Sequence, residues 1–177
     1  APVMKLFSAI TAELGDGLPI IAEDLGVITP EVEALRDAFA FPGMKILQFA
    51  FDNLGEDKFH PHNFDTKNCV CYTGTHDNDT TAGWFETLPW EPKQKVCRYL
   101  NLKDGEGIHW GLIRASLASI ANFAIFPAQD ILGLGKDSRM NTPAVAGGNW
   151  SWRIRPNELG DGHADRLREL SRLYGRY

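Results

Sequence analysis

Four apolar runs in this chain each stop at a polar or acidic residue: "LPIIA" before Glu23 and Asp24, "KILQFAF" before Asp52, "NCVCYT" before His76 and Asp77, and "NFAIF" before Gln129 and Asp130. Consecutive apolar residues, rather than alternating ones, are the pattern of strands covered on both faces. Helical periodicity fills the intervals. A short helix runs through Ala12, and another follows Thr29, with Pro30 at its first position and Glu31 and Glu33 at the positive end of its dipole. Its residues Val32, Leu35 and Phe39 share a face. Further helices are predicted over residues 82–88, 92–100 and 110–122, and a last one places Leu167, Leu170 and Leu173 in register. The expected architecture is therefore α/β, with about four parallel strands, the first at residues 18–22 and the second at 45–51, and covering helices. Only residues 52–68 show no crossover helix, and a loop of that length is usually functional or disordered.

The positions of the polar groups follow from this arrangement. Glu23, Asp52, Asp77 and Asp130 would all sit at the C-terminal ends of strands. In an α/β barrel that edge carries the catalytic loops, so residues far apart in sequence would converge at one mouth. The cluster "GTHDNDT" at residues 74–80 is then a site rather than a solvated turn.

Several function classes are disfavoured by composition. The 177 residues suffice for one domain and carry a formal charge of -5 without a run of lysines and arginines, so neither nucleic acid nor an anionic membrane surface is an expected partner. No apolar stretch is long enough to span a bilayer. Cys69, Cys71 and Cys97 are odd in number, and the first two alternate within a strand-like run, as buried free thiols of a reducing compartment would. A calcium loop at Asp77–Asp79 fails at its sixth position, where Ala82 replaces the required glycine. His60, His62 and His76 have no metal-ligand spacing, and no metal or cofactor is expected. Trp84, Trp90 and Trp110 lie in helical patterns and are expected to be structural, whereas Trp150 and Trp152 are open to either core packing or sugar contact.

The stretches "IIAEDLGVITPEVEALRD", "GMKILQFAFD", "YTGTHDNDTTAGWF", "PAQDILGLGKDSRMNTP" and "GNWSWRI", in this order, resemble the C-terminal part of the 4-α-glucanotransferases, the amylomaltase or disproportionating-enzyme family (glycoside hydrolase family 77) of the α-amylase clan. The likeness runs from about Leu6 to Tyr177, nearly the whole chain.

That resemblance implies the C-terminal half of a (β/α)8 TIM barrel and a retaining transfer of α-1,4-glucan segments to the 4-hydroxyl of an acceptor glucan or glucose. Such chemistry needs a general acid and a nucleophilic carboxylate roughly 5 Å apart. Glu23 matches the family's acid/base, and Asp77 its transition-state-stabilising carboxylate. His76, Asn141 and Phe49 match substrate-binding positions. The family's nucleophile lies in an "RIDH"-like motif that these 177 residues do not contain, so the chain reads as one part, residues 1–177, of a longer enzyme and as inactive alone. Half a barrel also leaves open strand edges and an apolar inner face, which predicts self-association. The resemblance implies a maltooligosaccharide substrate and a cytoplasmic location, or the plastid stroma after removal of a transit peptide. An α-amylase-like hydrolase and a non-catalytic glucan-binding segment remain as alternatives.

Overall fold

Cys69, Val70 and Cys71 are buried on both faces of their strand, and this strand organises the molecule. The computed structural model describes residues 2–51 and 57–176. Its elements are α1 (Pro2–Leu14), α2 (Pro30–Ala38), β1 (Gly43–Ile46), β2 (Cys69–Tyr72), α3 (Thr81–Thr87), α4 (Trp90–Leu100), α5 (Ile108–Ala118), β3 (Phe123–Ile125), α6 (Ala128–Ile131) and α7 (Asp161–Leu173). The three strands form one parallel sheet in the order β1-β2-β3, with Gly43 opposite Cys69 and Val70 opposite Phe123. The parallel α/β expectation holds. Among the described residues the sheet has three strands rather than about four.

The missing strand is the one expected at residues 18–22. That segment turns back on itself, with Ile20 N–H donating to Leu18 C=O at 2.8 Å, and the backbone bond that ties it towards the sheet edge runs from Ala22 N–H to Pro42 C=O at 2.9 Å. One bond is not a ladder, and apolar content alone does not make a strand. The run at residues 45–51 departs differently. It stays extended to Ile46 and then coils into a 3₁₀ turn at Leu47–Phe51. At three residues per turn, positions 47 and 50 stack on one row and 48 and 51 on another. All four are buried, and Phe49 alone of the five is left half-buried. Among its described residues the long interval before β2 contains two further 3₁₀ turns, Asp57–Phe59 and Pro61–Asn63, and no crossover helix. Asp52 lies outside the described residues.

Helix α5 packs on one side of the sheet. Trp110, Leu112, Ile113 and Leu117 are buried, and Ser116 Oγ donates to Cys71 C=O at 3.3 Å. Leu112 joins the main core of Leu47, Phe51, Cys71, Val96 and Leu100, whereas Trp110, Ile113 and Leu117 meet Leu167, Leu170 and Tyr174. Leu173 does not join them and is 68% exposed. Two steps of three residues carry it about 120° round from Leu167, off the packed face. Arg176 closes this end, donating to the carbonyls of Leu117, Ser119 and Ala121 at 2.7–2.8 Å. Of the tryptophans expected to be structural, Trp84 and Trp110 are buried, but Trp90, in the first turn of α4, is 74% exposed. The three cysteines are free, and burial pushes the Cys71 thiol up to about 11.

Candidate active site

The C-terminal ends of β1, β2 and β3 open into a cleft of about 810 Å³. Glu23, Phe49, His76 and Asp77 line it, so four of the five residues singled out from sequence meet in one cavity. The fifth, Asn141, reaches the cleft through Asp77, to whose Oδ1 its Nδ2 donates at 2.5 Å.

Residues 74–80 leave β2 as a tight loop and return into α3. Asn78 Oδ1 accepts from both Thr75 N–H and Thr75 Oγ1 at 2.9 Å, and the same hydroxyl oxygen accepts from Asp77 N–H at 3.2 Å. Thr80 caps α3 by accepting from Gly83 N–H at 3.1 Å. These short polar side chains bond their own backbone, which is why the sequence turns here rather than extending β2. Gly74 is needed for a close approach, since a Cβ at this position would lie 2.6 Å from Gln48 Nε2. That buried amide donates to Asp79 C=O at 3.0 Å.

Asp130 holds both ends of this loop from below. Its carboxylate accepts from Thr73 Oγ1 at 2.5 Å, Thr81 N–H at 2.7 Å and Thr81 Oγ1 at 2.8 Å, and the residue is 1% exposed. Sequence position grouped Asp130 with the polar residues at the mouth. The structure corrects this: the carboxylate is spent on two threonines under the loop, because α6 begins right after β3 and turns the side chain inward. Burial raises its pKa, opposed by the bonds from Thr73 and Thr81.

The neighbouring carboxylates Glu23 and Asp24 divide in the same way. Asp24 accepts from Arg36 Nη1 at 2.5 Å and from Met44 N–H at 2.7 Å, tying the residue to α2 and β1. Glu23, one residue earlier, is exposed to the cleft. Burial and the nearby charge of Glu23 raise the pKa of Tyr72, which ends β2 beneath it.

On the other wall, Arg139 bridges two backbone carbonyls, donating through Nη2 to Asp77 C=O at 2.6 Å and through Nε to Asn141 C=O at 2.8 Å. Asn141 N–H donates to His76 C=O at 3.0 Å. His76 Nε2 lies 3.3 Å from Asp77 Oδ1. The Oδ1 of Asp77 thus meets two side chains within the site, which leaves Oδ2 as the oxygen to offer a ligand hydroxyl. Neither Arg139 nor Gln48 was singled out from sequence. The signal for Gln48 was present, as an amide inside the apolar run "ILQFAF" has to find a buried partner. Among the described residues no group of three His, Cys, Asp or Glu side chains could hold a metal ion. His76 pairs with Asp77, while His62 meets Tyr99 Oη at 2.8 Å.

A family model described as 4-alpha-glucanotransferase matches residues 1–158. The chain belongs to the 4-alpha-glucanotransferase family. A Synechocystis 4-alpha-glucanotransferase is 57% identical over 99% of this chain and 35% of its own length. The chloroplastic/amyloplastic 4-alpha-glucanotransferase of Solanum tuberosum is 50% identical over 99% of this chain and 31% of its own. A solved amylomaltase from Streptococcus agalactiae, in complex with acarbose, superposes with a TM-score of 0.93 at 42% identity, over 99% of this chain and 35% of that one. The chain therefore spans about a third of the length of the 4-alpha-glucanotransferases it matches.

The Asp130 staple gives a test of how the loop is held. Asp130→Ala strands three buried donors, at about 1–3 kcal/mol for each one left unpaired, and is expected to destabilise the fold by roughly 3–5 kcal/mol. Asp130→Asn should cost less than half of that, because both threonine hydroxyls can rotate to accept from the amide. The sign with pH follows from burial. A carboxyl whose folded pKa lies above the ordinary 3.8 contributes most when protonated and loses that contribution as pH rises through the folded value. Denaturant titrations should therefore show the cost of Asp130→Asn shrinking as pH rises across that window. A cost that grows instead would show that the ionised carboxylate is the stabilising form.

Proposed function

We propose that this chain supplies the acid/base, Glu23, and a stabilising carboxylate, Asp77, to the active site of a retaining 4-α-glucanotransferase. The observation that carries the reading is the convergence of Glu23, His76 and Asp77 on one cleft at the C-terminal edge of a parallel sheet. In this reading the three strands belong to an eight-stranded barrel completed by sequence outside these residues, which also brings the nucleophile.

A glucan enters with its scissile oxygen towards Glu23. The carboxyl protonates the leaving oxygen while the nucleophile attacks the anomeric carbon, and a covalent glycosyl-enzyme forms. Glu23 then removes the proton from the acceptor's 4-hydroxyl as that oxygen attacks the same carbon and expels the nucleophile. Asp77, with Oδ1 held by Asn141, turns Oδ2 to the sugar hydroxyls, and His76 bonds the same sugar. Because Asp77 is fixed before substrate arrives, its interaction with the distorted, oxocarbenium-like ring needs little reorganisation. Phe49 presents its ring from the 3₁₀ turn, backed by an edge contact with Phe59 at 5.4 Å between centroids. The substrate class is α-1,4-glucan or maltooligosaccharide. The location in this reading is the cytoplasm or the plastid stroma, the latter in keeping with the chloroplastic/amyloplastic relative of Solanum tuberosum.

The test is to incubate the full-length gene product with maltotriose and follow products by chromatography. Transfer gives glucose together with longer maltodextrins. Glucose and maltose without longer products would make the protein a hydrolase, and binding without turnover would make it a glucan-binding module.

A further inference from the structure

Trp150 has a backbone φ of 59°, in the left-handed region where the Cβ of an L residue crowds its own backbone. The other non-glycine residues at positive φ are two alanines and two asparagines, so Trp150 is the one bulky side chain held this way among the described residues. Burial does not account for it, since the residue is 53% exposed. The surroundings nevertheless fix it. Trp150 N–H donates to Met140 C=O at 2.7 Å, and its own carbonyl accepts from Arg153 Nη1 at 2.8 Å. The preceding Asn149 accepts from Thr142 N–H at 2.9 Å and donates to Val145 C=O at 2.8 Å. A strained backbone that presents a large ring to solvent, when a glycine would relax it, points to a use for the ring.

The ring lies in the cleft, with its centroid 5.0 Å from that of His76 and a tilt of 40° between the planes. We propose that Trp150 is a sugar-binding platform, whose indole takes the apolar C–H face of the glucose unit next to the one held by His76 and Asp77. The proposal rests on the glucanotransferase reading above. A pyranose has an apolar face and a hydroxyl rim, and the site offers the matching pair, an indole face beside the polar edge of His76 and the free oxygen of Asp77. Trp152, two residues on, does not line the cleft. The same chain segment thus separates one tryptophan into the site from the other.

The experiment uses the full-length gene product carrying Glu23→Gln, which binds glucan without consuming it, and titrates maltoheptaose by calorimetry. Trp150→Gly should weaken binding about tenfold or more, and Trp150→Phe, which keeps a ring, by less than about threefold. Melting separates this from a packing role. Glycine adopts positive φ freely, so Trp150→Gly should melt no lower than its parent, whereas a tryptophan needed for packing would cost several degrees. In the enzyme with Glu23 intact, Trp150→Gly should raise KM more than it lowers kcat. Undiminished maltoheptaose binding by Trp150→Gly, or a lowered Tm with binding unchanged, overturns the platform. A parent that binds no maltoheptaose at all overturns the glucanotransferase reading and the platform with it.

Discussion

Glu23→Gln in the full-length gene product is expected to slow glucan transfer by about a hundred- to ten-thousandfold, the usual contribution of general acid/base catalysis. The amide keeps the shape of the carboxyl but cannot release or recover a proton. Both half-reactions need that proton, one to expel the leaving sugar and one to activate the acceptor. Glu23 is exposed to the cleft, so stability should change little, and Tm should stay within about 2 °C of wild type. Its neighbour provides the contrast. Asp24→Asn disturbs the bonds to Arg36 and Met44 N–H and should lower Tm by several degrees, while affecting rate only through the position of Glu23. The check is a pair of measurements on each variant, initial rate of maltotriose disproportionation and melting temperature. Near wild-type transfer by Glu23→Gln would remove it from the acid/base role.

The 177 residues expressed alone are expected to show no transfer and to self-associate. A retaining mechanism without its nucleophile cannot form the glycosyl-enzyme, and loss of one essential member of a catalytic group can cost up to roughly a millionfold in rate. Association follows from the surface. The third strand exposes Phe123 at 53% and Ile125 at 42%, and Leu6, Ile21 and Val27 are exposed as well. An unpaired strand edge beside exposed apolar side chains is a template for pairing with another copy. Light scattering should report dimers or larger species, and maltotriose should remain intact. A monodisperse monomer that disproportionates maltotriose by itself would overturn both parts of the prediction.

The order of elements was legible because it rests on local signals. The helices at 81–87 and 90–100 start within two residues of their expected positions, as do the strands at 69–72 and 123–125. The cluster at residues 74–80 was legible for a related reason, since Thr, Asn and Asp bond their own backbone whatever surrounds them. The misses all depended on partners. The segment at residues 18–22 has the composition of a strand, and Leu47–Phe51 reads as one more turn of extended chain. Which of them joins a ladder is decided by what lies alongside, and a single-sequence pattern does not contain that.

The same division runs through the site. By itself the sequence determined that this chain builds parallel strands between helices and sets acidic residues at their ends, because side-chain period and turn chemistry act over a few residues. Only the tertiary structure decided which of those acids face the cleft. Glu23 and Asp24 are adjacent and nearly identical in chemistry, yet Arg36 and Met44 N–H claim Asp24. Asp77 and Asp130 both follow strands, yet two threonines, one at each end of the loop, claim Asp130. A carboxylate goes wherever it finds donors to replace water, and those donors come from segments 12 to 57 residues away. The fold therefore assigns the acids to structure or to the cleft through contacts between distant segments, and no window of the sequence contains both members of such a contact.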